Sequence, residues 1–237
     1  MASVWDAFSQ TTLQVSGRCH LTCLHCPLWK EDPQTALQID KRVANLVKKD
    51  QLFKEIPKKK WINLIGGDPF KQPFLPKILD YIQKKGCKTR LWTHGFVSLD
   101  MWDQVRDVVD EVMLYCPSYE ADSFREWTGV EGWQRWQHSL ADLKAHHMAV
   151  TLHHAVRPDN IEWMPEIYEI AYQHDCPLIF HYDPKAGFTG DSLAFIKRYR
   201  RVKGVKVFRT GQVSKTACAA YCPQVVVDPW QWVTSWG

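Results

Sequence analysis

No stretch of this chain reaches the length of a membrane-spanning helix, about 20 apolar residues, so no helical span is expected. Residues 1–8 lack a basic stretch followed by a long apolar core, so no secretory signal is expected either. A strong charge of one sign is also missing: 30 Lys and Arg face 26 Asp and Glu, for a net +4. The basic residues that do cluster, Lys58-Lys59-Lys60 and the 197–203 run, are expected to be solvated helix ends and loops rather than a nucleic-acid surface. What remains is 45% hydrophobic and 24% charged, a soluble globular composition, in 237 residues. Eight cysteines without an export signal point to a reducing cytoplasm, where clustered thiols bind metal instead of pairing as disulfides.

Three of those cysteines stand in the run Cys19-His20-Leu21-Thr22-Cys23-Leu24-His25-Cys26, directly after a short apolar strand candidate. A [4Fe–4S] cluster asks for four soft thiolate ligands, so a protein supplying three leaves one iron open to a substrate or cofactor. That vacancy suits catalysis better than electron storage. Two other readings use the same residues. A structural zinc site would draw its fourth ligand from His20 or His25, and a Cys23-Leu24-His25-Cys26 redox pair would leave Cys19 without a role.

Strand candidates recur along the chain, each followed by an amphipathic stretch. Residues 13–15, 61–65, 87–92, 111–115, 149–154 and 177–182 read as strands; 37–46, 74–85, 98–109, 133–145 and 161–174 read as helices. Leu75, Ile78, Leu79 and Ile82 share one helical face, and Gly86 stands where a helix stop is expected. Trp127, Trp133 and Trp136, at helix-like spacing, read as packing residues. Strand then helix, six times over, implies parallel strands with right-handed crossovers, too few for a closed eight-stranded barrel. The expected fold is therefore α/β, a partial (β/α)6 TIM-like barrel with parallel strands over residues 1–189 and a short C-terminal extension, 190–237, containing a helix and short strands. Loops leaving the C-terminal strand ends share one rim, where ligands bind. The cysteine loop, Gly66-Gly67-Asp68-Pro69, Thr93-His94-Gly95, Cys116-Pro117-Ser118, Val156 and the His181-Tyr182-Asp183 end should all meet there. Of His153 and His154, adjacent on one strand, only one can point into the barrel.

The C-x3-C-x2-C spacing resembles the signature of the radical S-adenosylmethionine (radical SAM) superfamily, and the resemblance extends beyond the cysteines. Ile65-Gly66-Gly67-Asp68-Pro69-Phe70 is similar to the family's "GGEP" motif with Asp68 in place of Glu, and Leu91-Trp92-Thr93-His94-Gly95-Phe96 to its Thr-Asn-Gly strand end with His94 in place of Asn. The segments fall in the family's order over residues 11–100. The resemblance implies that Cys19, Cys23 and Cys26 hold a [4Fe–4S] cluster, that its open iron binds SAM, and that reductive cleavage of SAM yields a 5′-deoxyadenosyl radical that takes a hydrogen atom from a substrate. It also implies cofactor-binding roles. His25 would lie near the adenine, and Gly66 and Gly67 would bring backbone close to the methionine moiety, with Asp68, Pro69, Thr93 and His94 around them. Ser118 would meet the ribose hydroxyls and Val156 the adenine, placements that rest on strand order. A flavodoxin or ferredoxin would deliver the electrons.

The substrate is open between a small molecule and a peptide or protein. Cys218 and Cys222 in the tail faintly resemble the start of the cysteine-rich extension of peptide-modifying radical SAM enzymes. The "GGDP" loop followed by Gln72 also allows a likeness to 7-carboxy-7-deazaguanine synthase, which acts on a pterin. A non-enzymatic iron–sulfur or zinc protein that binds nucleic acid through the basic runs is the alternative of another class.

Overall fold

The computed structural model describes residues 10–26, 33–58, 60–209, 226–228 and 231–234. Residues 1–8, Lys59, Cys218 and Cys222 lie outside the described residues. Seven strands run parallel: β1 (Gln10–Ser16), β2 (Trp61–Gly66), β3 (Lys88–Thr93), β4 (Glu111–Tyr115), β5 (Val150–Val156), β6 (Leu178–Tyr182) and β7 (Val205–Arg209). They stand in the sheet in chain order. Between them run the helices α1 (Pro33–Lys48), α2 (Gln51–Glu55), α3 (Leu75–Lys84), α4 (Leu99–Asp103), α5 (Ala121–Thr128), α6 (Trp133–Ala145), α7 (Met164–Gln173) and α8 (Gly190–Arg198). This is the expected partial TIM-like barrel with one parallel strand more than expected.

The additional strand, β7, comes from the segment read as extension. Gly204, at φ 81°, turns the chain after α8, and Val205 to Arg209 then pair in register with Leu178 to Tyr182. Without it β6 would present an unpaired edge, a template for unwanted association. At the other edge β8 (Val226–Asp228) pairs parallel with β1 through Thr12 and Leu13, and β9 (Gln231–Thr234) pairs antiparallel with β8.

Helix ends follow local chemistry. α3 carries proline in its first turn, where the missing N–H costs nothing, and stops at Gly86, whose φ of 69° is the left-handed conformation that glycine adopts freely. α8 starts at Thr189, whose side chain accepts from Ser192 N at 3.1 Å. The stretch read as one helix over 98–109 divides into α4 and a 3-10 turn at Arg106–Val108, and α5 is a short helix absent from the periodicity reading.

The two faces of the sheet differ. On the helix side Leu13, Leu64, Leu91 and Val112 form one register row and Leu114, Leu152, Leu178 and Val205 another. These join Val43 and Val47 of α1, Ile78, Leu79 and Ile82 of α3, Leu140 of α6, Ile167 of α7 and Ile196 of α8 in one core. Each such side chain contributes about 1.5–3 kcal/mol on burial. On the inner side Ile65, Trp92, Met113 and Ile179 form a separate small cluster with Phe208 against it. Apart from Ala155, the rest of that face is polar or aromatic.

Candidate functional site

The cysteine loop leaves the end of β1 and is held from three directions. Asp40 of α1, 5% exposed, accepts from Ser16 Oγ and Gly17 N at 2.9 Å each and pairs with Arg18 Nε. From β2, Gly67 N donates to Ser16 O at 3.0 Å and Asp68 N to Arg18 O at 2.7 Å. From α5, Thr128 O accepts from Thr22 N and Trp127 O from Leu24 N, both at 2.9 Å. The loop is therefore set by the Asp40 side chain and by backbone bonds that span 50 to 106 residues of sequence.

These bonds account for the glycines. A Cβ on Gly66 would lie 2.5 Å from Ser16 O, and one on Gly67 2.3 Å from Arg18 O and 2.9 Å from Cys19 N. Both positions need glycine because β2 lies directly on the backbone that presents the first cysteine. Gly129, with φ 73°, ends α5 against Thr22, leaving a Cβ only 2.1 Å from Thr22 Oγ1.

Cys19, Cys23 and Cys26 are all half-buried. Burial pushes the Cys23 thiol far up, and the neighbouring Cys19 and Cys26 push it further. Thiols grouped in one short loop are a donor set that becomes stable as thiolates when a cation sits among them. Among the described residues no three Cys, His, Asp or Glu side chains converge on a single metal ion. A cubane cluster asks for a different geometry, one cysteine for each of three irons. The donors present fit that group.

Asp68 lies under the loop, fully buried, with Oδ1 accepting from Phe70 N at 3.0 Å and Oδ2 from Thr93 Oγ1 at 3.0 Å. His94 Nδ1 stands 3.4 Å from the same Oδ2 and 3.7 Å from Cys19 Sγ, and His20 Nδ1 is 3.9 Å from Oδ2. Burial alone would raise the Asp68 carboxyl, but the neighbouring His20 and His94 imidazoles hold it well below the usual carboxylate range. Burial likewise pulls the His94 imidazole down, while Cys19 and Asp68 push it up further, so it ends well above its ordinary value. The two departures from the family motifs, Asp68 and His94, thus touch each other: a shorter carboxylate meets a longer side chain. Pro69 is buried at the head of the 3-10 turn that Asp68 caps.

His25 is clamped between the Trp127 ring, 4.7 Å away between centroids, and Asp159, whose Oδ2 lies 3.1 Å from Nε2. Ser118 is fully buried, its hydroxyl accepting from Glu120 N at 3.5 Å and bonded to Ser123 Oγ, so it closes the turn into α5. Val156 pairs in register with Tyr182 and packs in the helix-side core; at that level Ala155 and His181 form the inner pair. The structure therefore gathers Cys19, Cys23, Cys26, His25, Gly66, Gly67, Asp68, Pro69, Thr93 and His94 around one loop, and gives Ser118 and Val156 local packing partners.

His153 is the member of its pair that faces inward. Its ring lies 4.8 Å from Trp92, 5.2 Å from Tyr115 and 5.7 Å from His181. His154 faces the helices, with Nδ1 2.7 Å from Cys116 O. Tyr182 joins the helix-side core. Asp40 and Tyr115 carry no motif and Trp127 reads only as a packing residue: an aspartate in a mixed helix and two of 30 aromatics carry no local signal of the loop near which they stand.

A family model described as the Radical SAM superfamily matches residues 13–171. No curated protein matches the sequence. Among solved structures, SuiB of Streptococcus suis bound to S-adenosylmethionine superposes with a TM-score of 0.61 at 12% identity, covering 86% of this chain and 51% of that one. The structure of SuiB bound to its precursor peptide SuiA gives 0.61 and 12%, covering 86% and 50%. Native anSMEcpe with bound AdoMet and a Kp18Cys peptide gives 0.58 and 13%, covering 80% and 59%. The chain spans about half the length of the SuiB structures. At these identities the likeness is one of fold.

Proposed function

This chain belongs to the radical SAM superfamily, and on that premise we propose that it is an enzyme in which Cys19, Cys23 and Cys26 hold a [4Fe–4S] cluster whose open iron takes SAM. When bound, the two supply a one-electron cleavage and a carbon radical that removes a hydrogen atom from the substrate. The chain's own residues position and shield. Asp40 and the β2 backbone fix the loop at its start, and Trp127 and Thr128 fix it in the middle, so three thiols stay within reach of one cluster without a fourth. His25, held by Trp127 and Asp159, presents a flat polar ring beside Cys26 for the adenine of SAM. Asp68, kept ionised by its partners, offers negative charge near the loop for the ammonium of the methionine moiety.

The observation that carries this reading is the direct seating of the Gly66-Gly67-Asp68 backbone on the Ser16-Arg18-Cys19 backbone, which joins the two motifs into one construction. The substrate we assign is a peptide. In support, SuiB and anSMEcpe, similar in fold, are each seen with a peptide bound. The reductant is a flavodoxin or ferredoxin. The test is anaerobic reconstitution with iron and sulfide, followed by SAM and dithionite. Release of 5′-deoxyadenosine by the native protein and none by Cys23→Ala is expected; equal release by both would refute the assignment.

A further inference from the structure

The inner face of the sheet runs on from the cluster loop as a chain of rings. His94, beside Cys19, lies 5.5 Å from Tyr115, Tyr115 lies 5.2 Å from His153, and His153 lies 5.7 Å from His181, with Trp92 against both histidines. Such a surface, buried and polar at once, does little for stability unless its polar atoms are answered. At His153, 5% exposed, neither ring nitrogen makes a hydrogen bond of good geometry, and the Met113 backbone is the polar group beside it. Nor does Nε2 of Gln14, 4% exposed, which pairs in register with inward-facing Ile65, make one. Buried polar atoms almost always have partners, so two of them aimed at one interior point to a guest.

The charges around this interior are already matched. Arg90 Nε is 2.5 Å from Glu111 Oε2, and Thr151 donates to Glu111 Oε1 at 2.9 Å. Lys88 and Lys206, the other cations on the inner register, are exposed to water. Burial holds His153 well below its ordinary value and His181 at about 3, so neither imidazole carries charge near neutrality. His94, the cation at the head of the ring chain, is already paired with Asp68 at 3.4 Å, so a carboxylate or ammonium entering beside His153 and His181 would lose its hydration without gaining an unpaired counter-ion.

Resting on the function proposed above, we propose that the surface formed by Trp92, Tyr115, His153 and His181 receives the substrate as an uncharged planar group bearing both a donor and an acceptor, with His153 as the specificity-determining residue. A neutral imidazole offers one donor and one acceptor, and the flanking rings offer faces and edges to a flat partner. Such a group could come from an aromatic side chain of a peptide or from a free heterocycle.

The experiment uses the full chain, reconstituted anaerobically and supplied with SAM, and calorimetric titration of three probes: N-acetyltyrosinamide, pterin, and 4-hydroxybenzoate as the charged ring. At least one neutral probe should bind 10-fold or more tightly than 4-hydroxybenzoate. His153→Phe should lose 10-fold or more of that affinity, and His153→Gln, which keeps a donor and an acceptor, should recover most of it. Tighter binding of N-acetyltyrosinamide identifies the peptide source, and tighter binding of pterin the free heterocycle, which would overturn the peptide assignment above while leaving the planar-group inference standing. Equal binding of the charged ring, no binding of either neutral probe, or unchanged affinity in folded His153→Phe overturns the inference. Iron content and 5′-deoxyadenosine release are read on the same samples: full iron and cleavage without probe selectivity defeats this inference alone, and selectivity without iron defeats only the cluster assignment.

Discussion

One residue separates two rows of the same sheet that share almost nothing. Leu13, Leu64, Leu91 and Val112 face the helices in register; their neighbours Thr12, Asn63, Arg90 and Glu111 face inward in register. Higher up, Leu114, Leu152, Leu178 and Val205 are answered one step on by Tyr115, His153, Ile179 and Lys206. Side chains alternate across a strand, so each strand is written for two solvents at once. The outer row is uniform because any apolar side chain of suitable volume fills it. The inner row is heterogeneous and partly unanswered, the mark of a surface selected for something other than holding the fold. The cysteine loop belongs with the inner row, and so do the motifs that meet it.

Four measurements would break or sharpen this contrast. The largest effect is expected at the rim: Cys23→Ala should remove the cluster chromophore of the reconstituted protein and all SAM cleavage, yet leave the unfolding midpoint of the apoprotein nearly unchanged. A large stability loss would erase the division between holding and acting. On the helix side the reverse is expected. Leu79→Ala, in the core against the sheet, should cost about 2–5 kcal/mol by urea unfolding, while the protein that remains folded still loads iron fully.

Gly67→Val tests the seam between the two. Its Cβ would press on Arg18 O and Cys19 N, so iron content and SAM affinity should fall together, the latter by about 10-fold or 1.4 kcal/mol. Normal iron with weakened SAM binding would instead put the glycine's role at the cofactor. The smallest effect is a slope. His153, His154 and His181 are buried neutral, and burial leads the causes that hold each below the ordinary histidine value, with His154 at about 4 and His181 at about 3. The unfolded chain then binds more protons than the folded one at mildly acidic pH, so stability is full above about 6.5 and is lost as pH falls from there toward those lower values. Each histidine adds at most about 1.4 kcal/mol per pH unit in that window. Unfolding free energies of wild type and His181→Leu between pH 5 and 7.5 should differ in slope by about that amount; parallel lines would show that His181 is not held neutral by the fold.

The chain itself determined much of this. Apolar spacing specified six of the seven parallel strands and most helices, because burial of one face imposes a period that survives in the sequence. The cysteine spacing and the two glycine-containing strand ends were legible because they are local: the residues of one loop lie close together in the chain. Tertiary structure decided the rest. β7 became a barrel strand only when β6 offered it an edge, and nothing within residues 205–209 says which edge they will find. Asp40, Trp127 and Thr128 hold the cysteine loop across long sequence separations, and a hydrogen bond between distant residues leaves no period to read. Which of His153 and His154 faces inward was set by strand register, since a shift of one residue exchanges the two faces. Local chemistry is inscribed in neighbouring residues, whereas orientation and support are properties of the assembled sheet.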